Sequence, residues 1–511
     1  MAPSKAVIRL SAARPDHQVV VIGAGFSGIN MGIRLKEAGI TDFVILERAS
    51  DVGGTWRDNT YPGCACDVPS IAYSYSFAQI PGWTRSFAGS AEIHRYTRHC
   101  VEKYDLMPWI RFGASVQQAV FDDKAGVWHL TMEGGKTLTT RSVVSAVGGL
   151  VNPAYPSIPG LGSFRGEQFH TARWRHDVDL TGRRVAVIGT GASAIQVIPA
   201  IQPKVSRLTV FQRTPAWLLP KPDFTVKERT RKLFARLPVL QRTVRNSIFA
   251  ASEAIFGPLV ILDSPASRLL ERMSRAYLER QVKDPELRWK LTPNFRIGCK
   301  RVLLSSDYYP ALVKKNVDVI SDPVVRVSAK GVVTADGTEH EVDVLVLATG
   351  FRLDIGNAPF DIRGLGGISM SEAWGQPGSK AYLGMAVNGF PNWFLMLGPN
   401  TGPGHTSVLV YTEAQANYIV QALRTLLDRN LRYLNVRKGE QDAWHKKLQA
   451  RMRHTSWTSG CRSWYLDANG ENHALFPGLA SEYVLRAKLF RPEKYDATVF
   501  AGQVRQATAT Q

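Results

Sequence analysis

Two glycine-rich turns constrain this chain more than any other feature, because both read as the same strand–turn–helix unit. The first is Gly23-Ala-Gly25-Phe-Ser-Gly28, after the apolar run Gln18 to Ile22. The second is Gly189-Thr190-Gly191-Ala192-Ser193-Ala194, after Arg184 to Ile188. In such a unit a buried strand turns tightly into a helix whose first amides receive a pyrophosphate. One such turn is a weak signal, since glycine turns join strands to helices in many α/β proteins. Here strand, turn, helix and second strand occur in order, twice, with the same spacing. Counting 24 residues from each first glycine reaches the end of the next strand, at Glu47 in one copy and Arg213 in the other. A carboxylate there accepts hydrogen bonds from ribose hydroxyls, whereas a guanidinium suits a 2′-phosphate. The pattern predicts an α/β fold with two Rossmann-like dinucleotide-binding domains, FAD in the first and NADPH in the second.

A length of 511 residues allows two or three domains with full cores. No stretch reaches 18 uncharged apolar residues, so no transmembrane span is expected. The best candidate, Ile248 to Leu262, carries Glu253 and a proline. The N-terminus has no secretory apolar region and reads as a short arm. Five cysteines without a repeated spacing suit a reducing cytoplasm. Cys64-Ala-Cys66 has the spacing of neither a redox pair nor half a zinc site, and reads as structural. The formal charge of +20 fits nucleic acid, a membrane surface or anionic cofactors. No nucleic-acid-binding signature accompanies it, so no nucleic-acid partner is expected. Between Lys221 and Ile248 stand eight basic residues against two acidic, with Leu233, Phe234, Leu237 and Leu240 as an apolar stripe. That segment reads as one amphipathic helix packed on its own domain; peripheral membrane contact is the second reading.

The chain divides at a Pro/Gly-rich connector, Gly148 to Gly162, and again where the strand Val342 to Leu347 ends in Ala348-Thr349-Gly350. The expected bounds are 1–150 for the first part of the FAD domain and 151–217 for the first part of the NADPH domain. A helical insertion at 218–297 follows, then 298–349 completes the NADPH domain and 350–511 the FAD domain. A helix is expected from Ser407 to Arg429.

Between the two turns stands Phe164-Arg-Gly166-Glu-Gln-Phe-His170-Thr-Ala-Arg-Trp174. It resembles the FxGxxxHxxxW fingerprint of type I Baeyer–Villiger monooxygenases. Related flavin N- and S-oxygenases carry Tyr or Phe in the last place, and the family commonly follows the Trp with Pro or Asp, where this chain has Arg175. Gly53-Gly54-Thr55-Trp56 through Tyr61-Pro62-Gly63 to Asp67 is similar to the family stretch that wraps the flavin. Lys300-Arg301 matches a third segment.

The resemblance implies that Gly54, Thr55, Trp56, Asp67 and Tyr73 surround FAD. It places Thr190, Ala192, Ser193, Thr214 and Lys300 beside NADPH, with Thr349 and Gly350 at the crossing between domains. Asn400 falls in a loop near the flavin, and Trp457 resembles a Trp folded over NADP, a core aromatic being the equal alternative. His170 reads as a hinge and His405 as structural. Arg301 is implied as the catalytic cation and Asp67 as its partner, in a reaction where O2 on reduced flavin gives a C4a-peroxide that attacks a ketone. A flavin N- or S-oxygenase, an NADPH oxidase making hydrogen peroxide, and a membrane- or partner-binding protein with vestigial flavin sites remain alternatives. The ketone and the oligomeric state are not readable from the sequence.

Overall fold

The computed structural model describes residues 14–352, 359–375, 378–461, 463–467 and 469–500; the expected N-terminal arm lies outside them. Apolar runs too short for helices form the central strands. β1 (His17–Ile22), β2 (Phe43–Leu46) and β3 (Thr137–Ser145) lie parallel, with β1 between the other two. Val19, Val20 and Val21 are fully buried, as expected of a strand covered on both faces. The sheet is extended by antiparallel strands Val116–Asp122 and Val127–Met132, and by Trp393–Leu395, which returns from late in the chain to pair with β3. A second, five-stranded sheet is parallel throughout. It contains β4 (Glu167–His170), β5 (Arg184–Ile188), β6 (Arg207–Phe211), β7 (Val317–Ile320) and β8 (Val344–Leu347), in the order β7-β6-β5-β8-β4. Its strands are nested in sequence between those of the first sheet.

Helix α1 (Phe26–Glu37) follows the first glycine turn and α2 (Ala194–Ile201) follows the second. A long helix, Val408–Asp428, is capped by the Ser407 hydroxyl and packs on α1 under the first sheet.

The insertion departs from expectation. One helix was expected from Lys221; residues 221–227 are instead extended, and Ser86 and Val226 donate backbone hydrogen bonds to Phe224 and Thr84. Helix α3 (Glu228–Arg236) then ends, and α4 (Pro238–Ala251) begins at a new angle. Leu237 lies between them at φ −126°, ψ 73°. The cause is Pro238, whose ring disfavours helical backbone at the preceding residue. The apolar stripe is also not packed as expected: Phe234 is buried, while Leu233, Leu237 and Leu240 are exposed.

The run Pro238–Ile261 is long and apolar enough, by length and composition, to cross a membrane. Glu253 on this run is nevertheless fixed inside the protein. Its carboxylate accepts from the Ala480 and Ser481 amides (3.0 and 2.9 Å) and the Ser481 hydroxyl (2.6 Å), and lies 2.6 Å from His405 Nε2. Burial alone would raise its pKa, but these partners hold it down at about 2. The contact contributes stability above the ordinary carboxylate pKa, and that stability is lost as pH falls from 4.5 toward 2. Glu253→Ala should therefore lower unfolding stability by about 3 kcal/mol at neutral pH and by less at pH 3, as thermal melts at both pH values would show.

Candidate active site

Both glycine turns open at the carboxyl ends of their strands, where open α/β sheets bind ligands. One cavity of about 1590 Å³ joins them. A pocket for a single small molecule is roughly 300–1,000 Å³, so the space suits two large ligands. Gly23 (φ +104°) and Gly189 (φ +116°) are equivalent: a Cβ would lie 2.7 Å from the Ala146 carbonyl oxygen in one case and 2.4 Å from that of Ala348 in the other. Neither position admits a side chain, so the turn backbone itself faces the cavity. Gly25, Gly191, Ala192 and Ser193 line it, whereas Gly28 is buried beneath the first turn.

Glu47 is buried at the cavity edge. Its carboxylate accepts from the Ala24 amide (2.8 Å), the Ala49 amide (3.0 Å) and Arg57 Nη1 (3.1 Å). A carboxylate offers about four acceptor positions, so capacity remains for a ribose hydroxyl. Arg57, which the sequence did not single out, donates to both Glu47 and Asp58 (Nε 2.8 Å to the latter), and Arg48 stands 3.8 Å from Asp58, so the four charges balance as a cluster. Gly54, Thr55, Trp56 and Tyr73 share this wall, and Trp56 Nε1 donates to the Tyr73 hydroxyl (3.1 Å).

The second site is electrostatically different. Arg213, Thr214 and Lys300 line the cavity beside Thr190, whose hydroxyl donates to the Thr214 carbonyl (2.8 Å). Neither Arg213 nor Lys300 has an acidic partner among the described residues. Burial and the neighbouring Arg213 push the Lys300 pKa down. Two unbalanced cations lining one cavity fit a phosphate dianion.

Where the two halves meet, Arg301 donates through Nε (3.0 Å) and Nη2 (2.7 Å) to Asp67 Oδ2. Both line the cavity, and 43% of the Arg301 side chain is open to it. Asp67 raises the guanidinium pKa further. Burial would raise that of Asp67, but Arg301 outweighs it and holds the carboxyl below its usual value. Lys221, missed by sequence reasoning, adds a further positive charge nearby, its own pKa lowered by burial. The halves are also joined at Gln196 on α2, which accepts from the Tyr61 hydroxyl (2.9 Å) and donates to the Ala65 carbonyl (2.9 Å). Gly63 (φ +81°) permits this approach, because a Cβ there would stand 2.5 Å from the Gln196 carbonyl oxygen.

Two further residues considered for cofactor contact do not line the cavity. Trp457 takes the core alternative, packed with Ile261, Met452 and Tyr465. Trp464, seven residues on, lines it instead. The Asn400 amide is committed to the Asn472 and Leu475 carbonyls (2.7 and 3.1 Å), and Asn400 itself does not line the cavity. Thr349 and Gly350 line the cavity, the Thr349 hydroxyl donating to the Ala154 carbonyl (2.6 Å). His170 is buried beside Tyr155 and Phe351; its Nδ1 accepts from the Ala172 amide, and burial lowers its pKa to about 4. It is neutral and packs against the segments that carry Tyr155 and Phe351. Trp174 packs edge-on against Phe169.

The reading of five reduced cysteines is corrected for two of them. Cys299, beside Lys300 and Arg301, is disulfide-bonded to Cys461, across 162 residues. The bridge fixes the Arg301 segment to the loop carrying Trp464. Cys64, Cys66 and Cys100 are free and buried.

The donor sets fit FAD at the first turn and NADPH at the second. Removing one charge-assisted hydrogen bond costs roughly 1.5–3 kcal/mol, so Arg213→Ala should raise the KM for NADPH about ten- to a hundredfold. NADH use should change little. Steady-state kinetics with both nucleotides checks this, and equal use of the two by the unmodified protein would contradict it.

Comparison with known proteins agrees with this geometry. Residues 20–248 match the family model described as pyridine nucleotide-disulphide oxidoreductase. A Baeyer-Villiger monooxygenase of Streptomyces coelicolor is 45% identical over 468 residues, covering 91% of this chain and 90% of that protein. One of Pseudomonas aeruginosa is 42% identical over 494 residues, covering 95% and 92%. The crystal structure of OTEMO in complex with FAD and NADP superposes with a TM-score of 0.85 at 28% identity, covering 95% of this chain and all of that one. The chain belongs to the Baeyer–Villiger monooxygenase family of FAD- and NADPH-dependent flavoproteins.

Proposed function

We propose that this chain uses NADPH and O2 to convert a small-molecule ketone to an ester or lactone, with Arg301 as the catalytic cation. The observation that carries the reading is the Arg301–Asp67 pair, set in the wall of the cavity that joins both nucleotide turns. When bound, FAD supplies activated oxygen and NADPH supplies the electrons for it.

Negative charge develops when activated oxygen adds to a carbonyl, and a preorganised cation stabilises it most where water is excluded. Arginine suits this task because it keeps its proton at any working pH. Asp67 is the positioning residue: both of its hydrogen bonds from Arg301 converge on one oxygen, which fixes the guanidinium plane. The FAD contacts are assigned to Gly23, Gly25, Glu47, Gly54, Thr55, Trp56, Asp67 and Tyr73. Those of NADPH are assigned to Gly189 to Ser193, Arg213, Thr214 and Lys300, with Thr349 and Gly350 at the crossing. The division into an FAD domain interrupted by an NADPH domain, with the bounds given above, belongs to this proposal. So does a cytoplasmic location, where NADPH is available and where the Cys299–Cys461 bridge stands against a reducing thiol pool.

Arg301→Ala removes the cation and leaves both glycine turns intact. Losing one preorganised donor typically costs about 10²–10³ in rate, and a full cation no less. The variant should retain FAD and still be reduced by NADPH, while ester formation falls at least a hundredfold and the electrons leave as hydrogen peroxide. Anaerobic flavin bleaching and aerobic product yield, measured on one preparation, test this. Ester formation at a near-normal rate would overturn the assignment.

A further inference from the structure

The elbow between α3 and α4 presents an unusual surface. Leu233, Leu237, Val239 and Leu240 are all exposed, Leu237 by 53% and Val239 by 72%. All four fall within eight residues of chain, at the break that Pro238 imposes between the two helices, while Phe234 in the same stretch is buried. Arg229, Lys232, Arg236 and Arg242 surround them in sequence and are exposed. Lys232 pairs with Glu228 (2.8 Å), while Arg229, Arg236 and Arg242 have no acidic partner among the described residues. The other acid of this helical run, Glu253, is buried in its contacts with His405 and Ser481.

We propose that this elbow docks the enzyme on an anionic phospholipid surface, with Leu237 and Val239 entering the headgroup boundary and the arginines meeting lipid phosphates. An apolar tip rimmed by unpaired cations has the composition of an interfacial anchor, in which apolar burial and electrostatic attraction add. A second copy of the chain fits the elbow less well. A two-fold interface would set the same unpaired guanidinium groups against one another. Nucleic acid fits less well too, since the centre of the surface is aliphatic. Docking lies on the surface and does not span the bilayer, because Glu253 holds the rest of Pro238–Ile261 against the FAD side of the protein.

Flotation of the FAD-loaded enzyme with vesicles tests this, using phosphatidylcholine alone or mixed with phosphatidylglycerol. Binding is expected to the mixed vesicles and not to the neutral ones, and to weaken as salt is raised. The double variant Leu237→Asp/Val239→Asp should lose binding at least tenfold. Arg236→Glu/Arg242→Glu should lose roughly fivefold or more per residue changed. Both variants should keep normal FAD content and normal turnover of a water-soluble ketone, since the altered residues are exposed and do not line the cavity. The proposal is overturned if the unmodified enzyme stays in solution with phosphatidylglycerol vesicles, if it binds neutral vesicles equally, or if the double aspartate variant floats as before. It is also overturned if sedimentation shows that the elbow instead pairs two copies and the aspartate variant merely dissociates them.

Discussion

Asp67 and Arg301 stand 234 residues apart in sequence, one on the flavin side of the molecule and one beside the second nucleotide turn. Their contact sets the terms for everything around the cavity. A cation exposed to a site that must exclude water is costly unless a carboxylate stands against it, and that carboxylate is costly unless it remains paired. Both conditions hold only if the two halves meet in one register. The Gln196 contacts to Tyr61 and Ala65 and the Cys299–Cys461 bridge tie the segments that carry the pair to their neighbours. The ion pair and the meeting of the two halves are therefore one structural problem with one solution.

The two nucleotide turns show how a single backbone device takes two ligands. Gly23 and Gly189 have nearly the same φ and press against equivalent carbonyls at the ends of neighbouring strands. Differences appear only where side chains begin. Glu47 is buried, hydrogen-bonded to its own turn and balanced within a cluster of Arg57, Asp58 and Arg48, which leaves an acceptor for hydroxyl groups. Arg213 and Lys300 have no acidic partner among the described residues, and burial together with Arg213 lowers the Lys300 pKa. One site is balanced by its own residues and the other offers unbalanced cations, as a ribose hydroxyl at the first and a 2′-phosphate at the second require.

Local geometry was legible in the sequence. Glycines at positive φ with no room for a Cβ, and a charge at a fixed distance along the next strand, leave a pattern that a single chain displays. Position in space was less so. Trp457 and Trp464 stand seven residues apart, and nothing local says which one packs in the core and which faces the cavity. Asn400 sits in a loop of the expected kind, yet its amide is consumed by two backbone carbonyls. The Cys299–Cys461 bridge joins segments 162 residues apart, a distance no spacing rule covers. The stripe from Leu233 to Leu240 was readable as apolar, but its burial depended on a partner surface, and beside the break at Pro238 only Phe234 of the four is buried. Arg57, Lys221 and Trp464 entered the site through contacts between elements distant in sequence.

The central claim is that one cavity couples NADPH oxidation to insertion of oxygen beside a carbonyl, with Arg301 holding the charge that forms. The most direct measurement is turnover of a ketone under ¹⁸O-labelled O2, with product mass and NADPH consumption followed together. The account predicts one labelled oxygen per ester or lactone and one NADPH consumed per product. Unlabelled product, or NADPH consumption that yields only hydrogen peroxide with every ketone tried, would contradict it.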